Sequence, residues 1–220
     1  MARLLPIGVL ISGSGTNLQA IIDAIEAGKL DAKIAVVLSN KADAQGLARA
    51  QKHGSPTEIL NHKNYSSREA YDEAVVNLLR GRGVELVVLA GFMRLLSPVF
   101  VKAYSNRIMN IHPALLPAFP GLNVQQRAVE HGVRFSGCTV HFVNEECDEG
   151  PIIIQAVVPV FADDSGETLA ARILDQEHRI YPRAIQLYAE GRLKVVGRKV
   201  LVDRPAKADA QALIEPPLEG

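Results

Sequence analysis

The chain has 220 residues, 48% of them apolar and 22% charged, which excludes a disordered or fibrous protein and supplies one substantial core. Its 24 basic and 24 acidic side chains cancel, so no global field recruits nucleic acid or an anionic membrane surface. No tryptophan and five tyrosines give no platform for stacking bases, and two cysteines, Cys138 and Cys147, make no disulfide framework, which points to a reducing cytoplasm.

The first apolar run, 7–12, follows Arg3 and imitates a secretory leader, but it lacks a small-residue cleavage pattern and reads as a buried first strand. The longest apolar stretch, 86–93, is too short to span a bilayer. The first strand enters Ser12-Gly13-Ser14-Gly15-Thr16-Asn17-Leu18, and a helix is predicted at once, over 17–27. Glycines let the backbone approach a ligand, and the free N–H groups at a helix start favour an anion. Leu18 occupies the place of the third glycine of a dinucleotide-binding loop. The second strand, 33–39, ends in Ser39-Asn40-Lys41, with no carboxylate for a ribose diol. No Gly-Lys-Ser/Thr follows, so the loop is not a nucleoside-triphosphate loop either. A cradle for the single phosphate of a small substrate remains, against a purely structural turn.

A helix over 44–53, a strand at 55–59, a helix over 67–82, a strand at 86–90 and a helix over 97–104 follow. Ser97-Pro98 is a good helix start, and Gly28, Gly54 and Gly83 stand where helices stop. This alternation predicts an α/β fold, with a mixed, mainly parallel sheet and helices on both faces.

The next strand, 108–111, carries the chemistry. Asn110 and His112 are two apart and project to one face, and Pro113 ends the ladder, placing both at the carboxyl edge where open α/β sheets bind ligands. The bland reading is a strand-end histidine bonded to a loop carbonyl. A loop stiffened by Pro113, Pro117 and Pro120 follows, then a helix over 123–131 and a strand at 135–143. Returning through a helix, that strand is expected to run parallel to 108–111 and to deliver Asp148, from the acidic loop 144–150, beside His112. A carboxylate there favours imidazolium. An amide and an imidazolium make a donor pair for a developing oxyanion, and with no serine or cysteine presented as nucleophile, direct attack by a substrate amine fits.

Cys138, His141 and Cys147 invite a zinc reading, but 138 and 141 differ in strand parity and face opposite sides, so no metal is expected. A strand at 152–158, a helix over 168–189 and a hairpin pairing 193–196 with 199–202 complete the pattern. Without a repeat or linker, 1–204 is expected to form one catalytic domain, and the Ala- and Pro-rich segment 205–220 a mobile tail.

Four segments carry a likeness to a known family: Ile11-Ser12-Gly13-Ser14-Gly15-Thr16-Asn17-Leu18-Gln19; Leu89-Ala90-Gly91-Phe92-Met93-Arg94; Asn110-Ile111-His112-Pro113 with Leu115-Leu116-Pro117; and Val140-His141-Phe142-Val143 followed by Asp148. Together they resemble the phosphoribosylglycinamide formyltransferases, a branch of the folate-dependent formyltransferases, from the first strand to about Leu193. The resemblance implies a Rossmann-like formyltransferase fold. It also implies transfer of the formyl group of 10-formyltetrahydrofolate, a co-substrate, to the primary amine of glycinamide ribonucleotide in de novo purine (IMP) biosynthesis. By the same resemblance, Gly13, Gly15, Thr16 and Asn17 hold the substrate phosphate, and Glu177 contacts the glycinamide ribonucleotide. Asn110 and His112 polarise the formyl oxygen while Asp148 keeps His112 protonated. Met93, Arg94, Leu95 and Leu96 line the folate site together with Asn110, and Arg68 lies near the folate's glutamate tail. By pattern alone Arg94, after an apolar strand end, reaches into the cleft, Glu177 reads equally as an exposed helix residue, and Arg68 as a solvated one.

The partners implied are small molecules only, on a cytoplasmic monomer or weak homodimer, with no nucleic acid or membrane. Asn123 and Gln125 stand where the family has His-x-His, and Cys138 and Glu149 where Thr and Gly are frequent. Two other readings stay open. A 10-formyltetrahydrofolate hydrolase shares the Asn/His/Asp core but usually carries an N-terminal regulatory domain, whereas this sequence starts directly at its first strand. A non-catalytic nucleotide-binding module keeps the glycine loop without needing Asn110, His112 and Asp148 together. A tRNA-directed relative is disfavoured because it normally adds a basic C-terminal domain.

Overall fold

The structure, a computed structural model, describes residues 3–203. The tail expected to be mobile, 205–220, lies outside the described residues. Nine strands form one sheet: β1 (Leu5–Ile11), β2 (Ala32–Ser39), β3 (Thr57–Ile59), β4 (Leu86–Leu89), β5 (Ile108–His112), β6 (Phe135–Phe142), β7 (Ile152–Pro159), β8 (Leu193–Val196) and β9 (Lys199–Val202). Their spatial order is β3-β2-β1-β4-β5-β6-β7-β9-β8. Helices α1 (Thr16–Glu26), α2 (Gln45–Lys52), α3 (Arg68–Gly81), α4 (Pro98–Ala103), α5 (Val124–Glu130) and α6 (Gly166–Ala189) join them, with a short 3-10 turn at His62–Asn64. No helix among the described residues is long and apolar enough to cross a membrane.

Strand β1 shows why the sheet is covered on both sides. All seven of its residues are buried, the continuous apolar run expected of a central parallel strand. Ile7, Val9 and Ile11 pack with Leu18, Ile21 and Ile22 of α1 and Tyr181, Ala184 and Ile185 of α6. Leu10, of opposite parity, packs with Tyr71, Val75 and Leu79 of α3 and Phe100 of α4. A third cluster sets Ala128 of α5 and Leu169 and Ile173 of α6 against Cys138 and Val158.

Register puts three strand ends level, because Leu10 pairs with Leu89 and Leu89 with Asn110. The loops after β1, β4 and β5 therefore leave the sheet side by side. Parallel pairing of 135–143 with β5, expected from the sequence, does not occur. Strand β6 runs antiparallel, with Asn110 opposite His141 and His112 opposite Thr139. The cause lies in the proline loop. Thr139 Oγ1 donates to the Ala114 carbonyl at 2.7 Å and accepts the Leu116 N–H at 3.1 Å, which ties the loop to the carboxyl edge. Strand β6 thus starts where β5 ends.

Candidate active site

Asn110, His112, Thr139 and His141 share one face of the β5–β6 pair. His141 is fully buried, and its Nδ1 lies 2.9 Å from the Phe142 carbonyl, which can only accept, so Nδ1 carries the hydrogen. Nε2 is then the acceptor facing Asn110 Nδ2 at 3.2 Å. Burial holds the His141 ring below its ordinary 6.5, which keeps it neutral for this role. One amide hydrogen of Asn110 is thereby committed, and the carboxamide plane is set.

Asp148 reaches the same cluster although β6 runs the other way. After β6 the chain folds back on itself, and Gly150 packs so tightly that a Cβ there would lie 1.7 Å from the Phe142 oxygen. Only glycine fits this reversal. Asp148 Oδ2 lies 3.5 Å from His112 Nδ1 and accepts the Gly121 N–H at 3.0 Å, while Oδ1 lies 3.9 Å from His141 Nε2. On its other side, His112 Nε2 stands 2.9 Å from the Phe119 carbonyl, to which its N–H donates. The imidazole is therefore held between a carboxylate and a loop carbonyl, and both readings of it from sequence are present at once.

The glycine loop is braced from outside. Gly15 takes φ +71° as the residue before α1, and a Cβ on it would lie 2.6 Å from Gly46 Cα of α2. Gly46 N–H donates to the Gly13 carbonyl at 3.0 Å and Arg49 Nε to the Ser14 carbonyl at 2.9 Å. No side chain caps α1, so its first N–H groups remain available to an anion. A cleft of about 360 Å³ beside it is lined by Thr16, Gln19, Arg49 and His178. Asn17 Nδ2 donates to Glu177 Oε2 at 2.7 Å, and both residues are buried. Burial pushes the Glu177 carboxyl above its ordinary 4.5, against the pull of the Asn17 amide.

Segment 91–97 lies between the glycine loop and Asn110. Met93 and Leu95 are 67% and 61% exposed, whereas Leu96 is half-buried against the α3 face. Arg94, expected to reach into the cleft, lays its guanidinium 4.8 Å above the centre of the Tyr71 ring. Arg68 opens α3, 3.6 Å from Glu69, and with Arg94 faces the buried Asp72. Tyr181 ties α6 beneath both strand ends, its hydroxyl 2.9 Å from the Leu89 carbonyl and 3.0 Å from that of Met109.

The predicted residues thus fall into three neighbouring groups: Gly13, Gly15, Thr16, Asn17 and Glu177; Met93 to Leu96 with Arg68; and Asn110, His112 and Asp148. Two strand spacings, about 10 Å, separate the first from the third. The parts that His141, Thr139 and Ser12 play were not foreseen, nor that Phe119 supplies the loop carbonyl for His112. The partnership of His141 with Asn110 depends on antiparallel pairing, which the strand pattern alone does not reveal. Among the described residues no group of histidine, cysteine and acidic side chains converges to hold a metal ion.

An open α/β sheet with an amide, an imidazole and a carboxylate converging at its carboxyl edge has the groups that transfer of an acyl group requires, and likeness to known proteins places the chain among the group transferases. The formyl transferase family model matches residues 5–185. The phosphoribosylglycinamide formyltransferase of Haemophilus influenzae is 49% identical over 94% of this chain and 95% of its own length, and that of Escherichia coli 51% identical over 85% and 88%. The crystal structure of glycinamide ribonucleotide transformylase 1 from Symbiobacterium toebii superposes with a TM-score of 0.90 at 54% identity, covering 92% of this chain and 95% of that one. The chain belongs to the phosphoribosylglycinamide formyltransferases, within the formyl transferase family.

Proposed function

We propose that the chain transfers the formyl group of 10-formyltetrahydrofolate to the primary amine of glycinamide ribonucleotide, giving formylglycinamide ribonucleotide for purine synthesis. The relatives' names support the reaction, and the convergence of Asn110, His112 and Asp148 level with the glycine loop carries the assignment of residues.

The glycine loop and the start of α1 hold the substrate phosphate through Gly13, Gly15, Thr16 and Asn17. Glu177, fixed by Asn17, receives the amine end. Segment 93–96 lines the folate, with Arg68 toward its glutamate tail. The amine nitrogen attacks the formyl carbon, forming the new C–N bond while the carbonyl electron pair moves to oxygen. That oxyanion takes the uncommitted Asn110 N–H and a ring N–H of His112. For Nε2 to serve, the formyl oxygen replaces the Phe119 carbonyl, so productive binding displaces Phe119 from His112. Collapse re-forms the carbonyl and breaks the bond to the folate nitrogen, which takes up a proton. Asp148, bound to the loop through Gly121 and facing His112, accepts the surplus amine proton and returns it through His112 or water.

An assay of purified protein with 10-formyltetrahydrofolate tests the reading. Donor consumption should require glycinamide ribonucleotide and match formylated product one for one. Consumption independent of the amine indicates the hydrolase, and no consumption indicates a binding module.

A further inference from the structure

Ser12 follows β1 and opens the phosphate loop, yet two of its hydrogen bonds run to the opposite substrate's segment. Its N–H donates to the Gly91 carbonyl at 3.1 Å, and its Oγ accepts the Met93 N–H at 3.0 Å. The one hydroxyl hydrogen goes to Asn40 Oδ1, 2.6 Å away. Asn40 Nδ2 in turn lies 3.5 Å from His62 Nδ1. Ser12 and Asn40 are both buried, 5% and 3% exposed, so water does not compete for these groups. With its hydrogen committed to Asn40, the hydroxyl turns a lone pair toward Met93 and cannot rotate away.

We propose that Ser12 is a positioning residue for the folate, acting through the backbone of Met93, although it stands in the phosphate motif. This rests on the reading that 93–96 lines the folate site. The far end of the segment has a separate anchor, the Ser97 N–H donating to Asp72 Oδ2 at 2.6 Å. Between the two anchors Met93 and Leu95 point outward, while Phe92, Leu96 and Arg94 rest on the α3 side, so Ser12 is the backbone hold on the near half. The phosphate loop does not depend on this hydroxyl, because Gly46 and Arg49 brace it through the carbonyls of Gly13 and Ser14.

Ser12→Ala should raise KM for 10-formyltetrahydrofolate about three- to tenfold, the worth of one net hydrogen bond, with KM for glycinamide ribonucleotide and kcat at saturation of both within about twofold. The same loss should appear in calorimetric titration of 10-formyltetrahydrofolate alone. Asn40→Ala, which removes the acceptor that orients the hydroxyl, should shift the folate KM in the same direction. Asn40→Asp, which keeps an oxygen there, should recover most of it. A purely structural role would lower the melting temperature and move both KM values and kcat together, and that result overturns the proposal. So does a rise confined to the KM for the phosphorylated substrate, or a folate KM equal to wild type. If Ser12→Ala fails to fold, the Asn40 pair decides: no rescue by Asp, or no folate shift in Ala, overturns the idea. Wild-type protein that neither binds nor turns over the folate defeats the underlying site reading. A wild type that binds normally beside an unaffected Ser12→Ala defeats only the positioning role.

Discussion

Asn110 has one amide hydrogen on His141 and one free, so its chemistry is directional rather than diffuse. On the proposed mechanism, removing it takes away a donor to the developing oxyanion and leaves the residues of the glycine loop and of 93–96 in place. Asn110→Ala should lower kcat by roughly 10²–10³ with little change in either KM, measured by steady-state kinetics. Parity alone made Asn110 and His112 legible, because two residues at a strand end before a proline must project together. His141 was not legible, because its value comes from the strand direction that placed it opposite Asn110. The contact of Arg94 with Tyr71 was not legible for a simpler reason: the ring that takes its guanidinium lies on another element, outside the local pattern. Glu177 yields a pH prediction. Burial lifts its carboxyl above 4.5, so its ionisation opposes folding, and the stability present below that pH is lost as pH rises through the lifted value. Glu177→Gln keeps an oxygen for Asn17 and removes the charge. Its melting temperature should match wild type near pH 4 and exceed it by about 2–4 °C near pH 8, while KM for the amine substrate rises about tenfold. Equal melting curves at both pH values would contradict the buried-charge account.

At the scale of elements, helices and strands were readable to within a residue or two because apolar period and punctuation agree. The start of α6 shows the limit. It opens at Gly166 rather than 168, because Ser165 and Thr168 form a reciprocal cap and Asp164 is held by both guanidinium nitrogens of Arg172, at 2.7 and 2.9 Å. The direction of β6 was unreadable because it depends on Thr139 fastening a loop two dozen residues earlier in sequence. The tight strand-to-helix turn of the glycine loop was readable, but not the packing of α2 against it. Gly15 meets Gly46 backbone to backbone, so neither side can yield by a rotamer change. Gly15→Ala should destabilise by about 2–4 kcal/mol, combining left-handed strain with a forced backbone shift, and should raise KM for the phosphorylated substrate selectively. Gly28 has a similar φ, +66°, with open space where a Cβ would go. Gly28→Ala should therefore cost only about 1–2 kcal/mol and leave both KM values unchanged. Denaturant melts of the two variants separate strain from collision, and equal losses would refute the claimed contact.

At the scale of the whole molecule, α6 is the element that both halves of the sheet share. Its 24 residues rise about 36 Å, enough to pass from one side of the fold to the other. Near its start Leu169 and Ile173 pack with Cys138 and Val158 on the antiparallel side. Midway, Glu177 meets Asn17 and Tyr181 reaches the carbonyls of Leu89 and Met109. Near its end Gln186 accepts the Asp31 N–H at 2.7 Å and donates to that residue's carboxylate at 2.9 Å, on the parallel side. Opening either half would strip contacts from the same helix, so we propose that residues 1–204 unfold as one cooperative unit. Calorimetry should then show a single transition whose calorimetric and van't Hoff enthalpies agree. Glycinamide ribonucleotide at a hundred times its dissociation constant adds about 2.7 kcal/mol and should raise that transition by about 5–10 °C. A folate ligand should move the same transition. Two resolved transitions, or a ligand that shifts only part of the heat absorbed, would mean that α6 does not join the two binding sides into one folding unit.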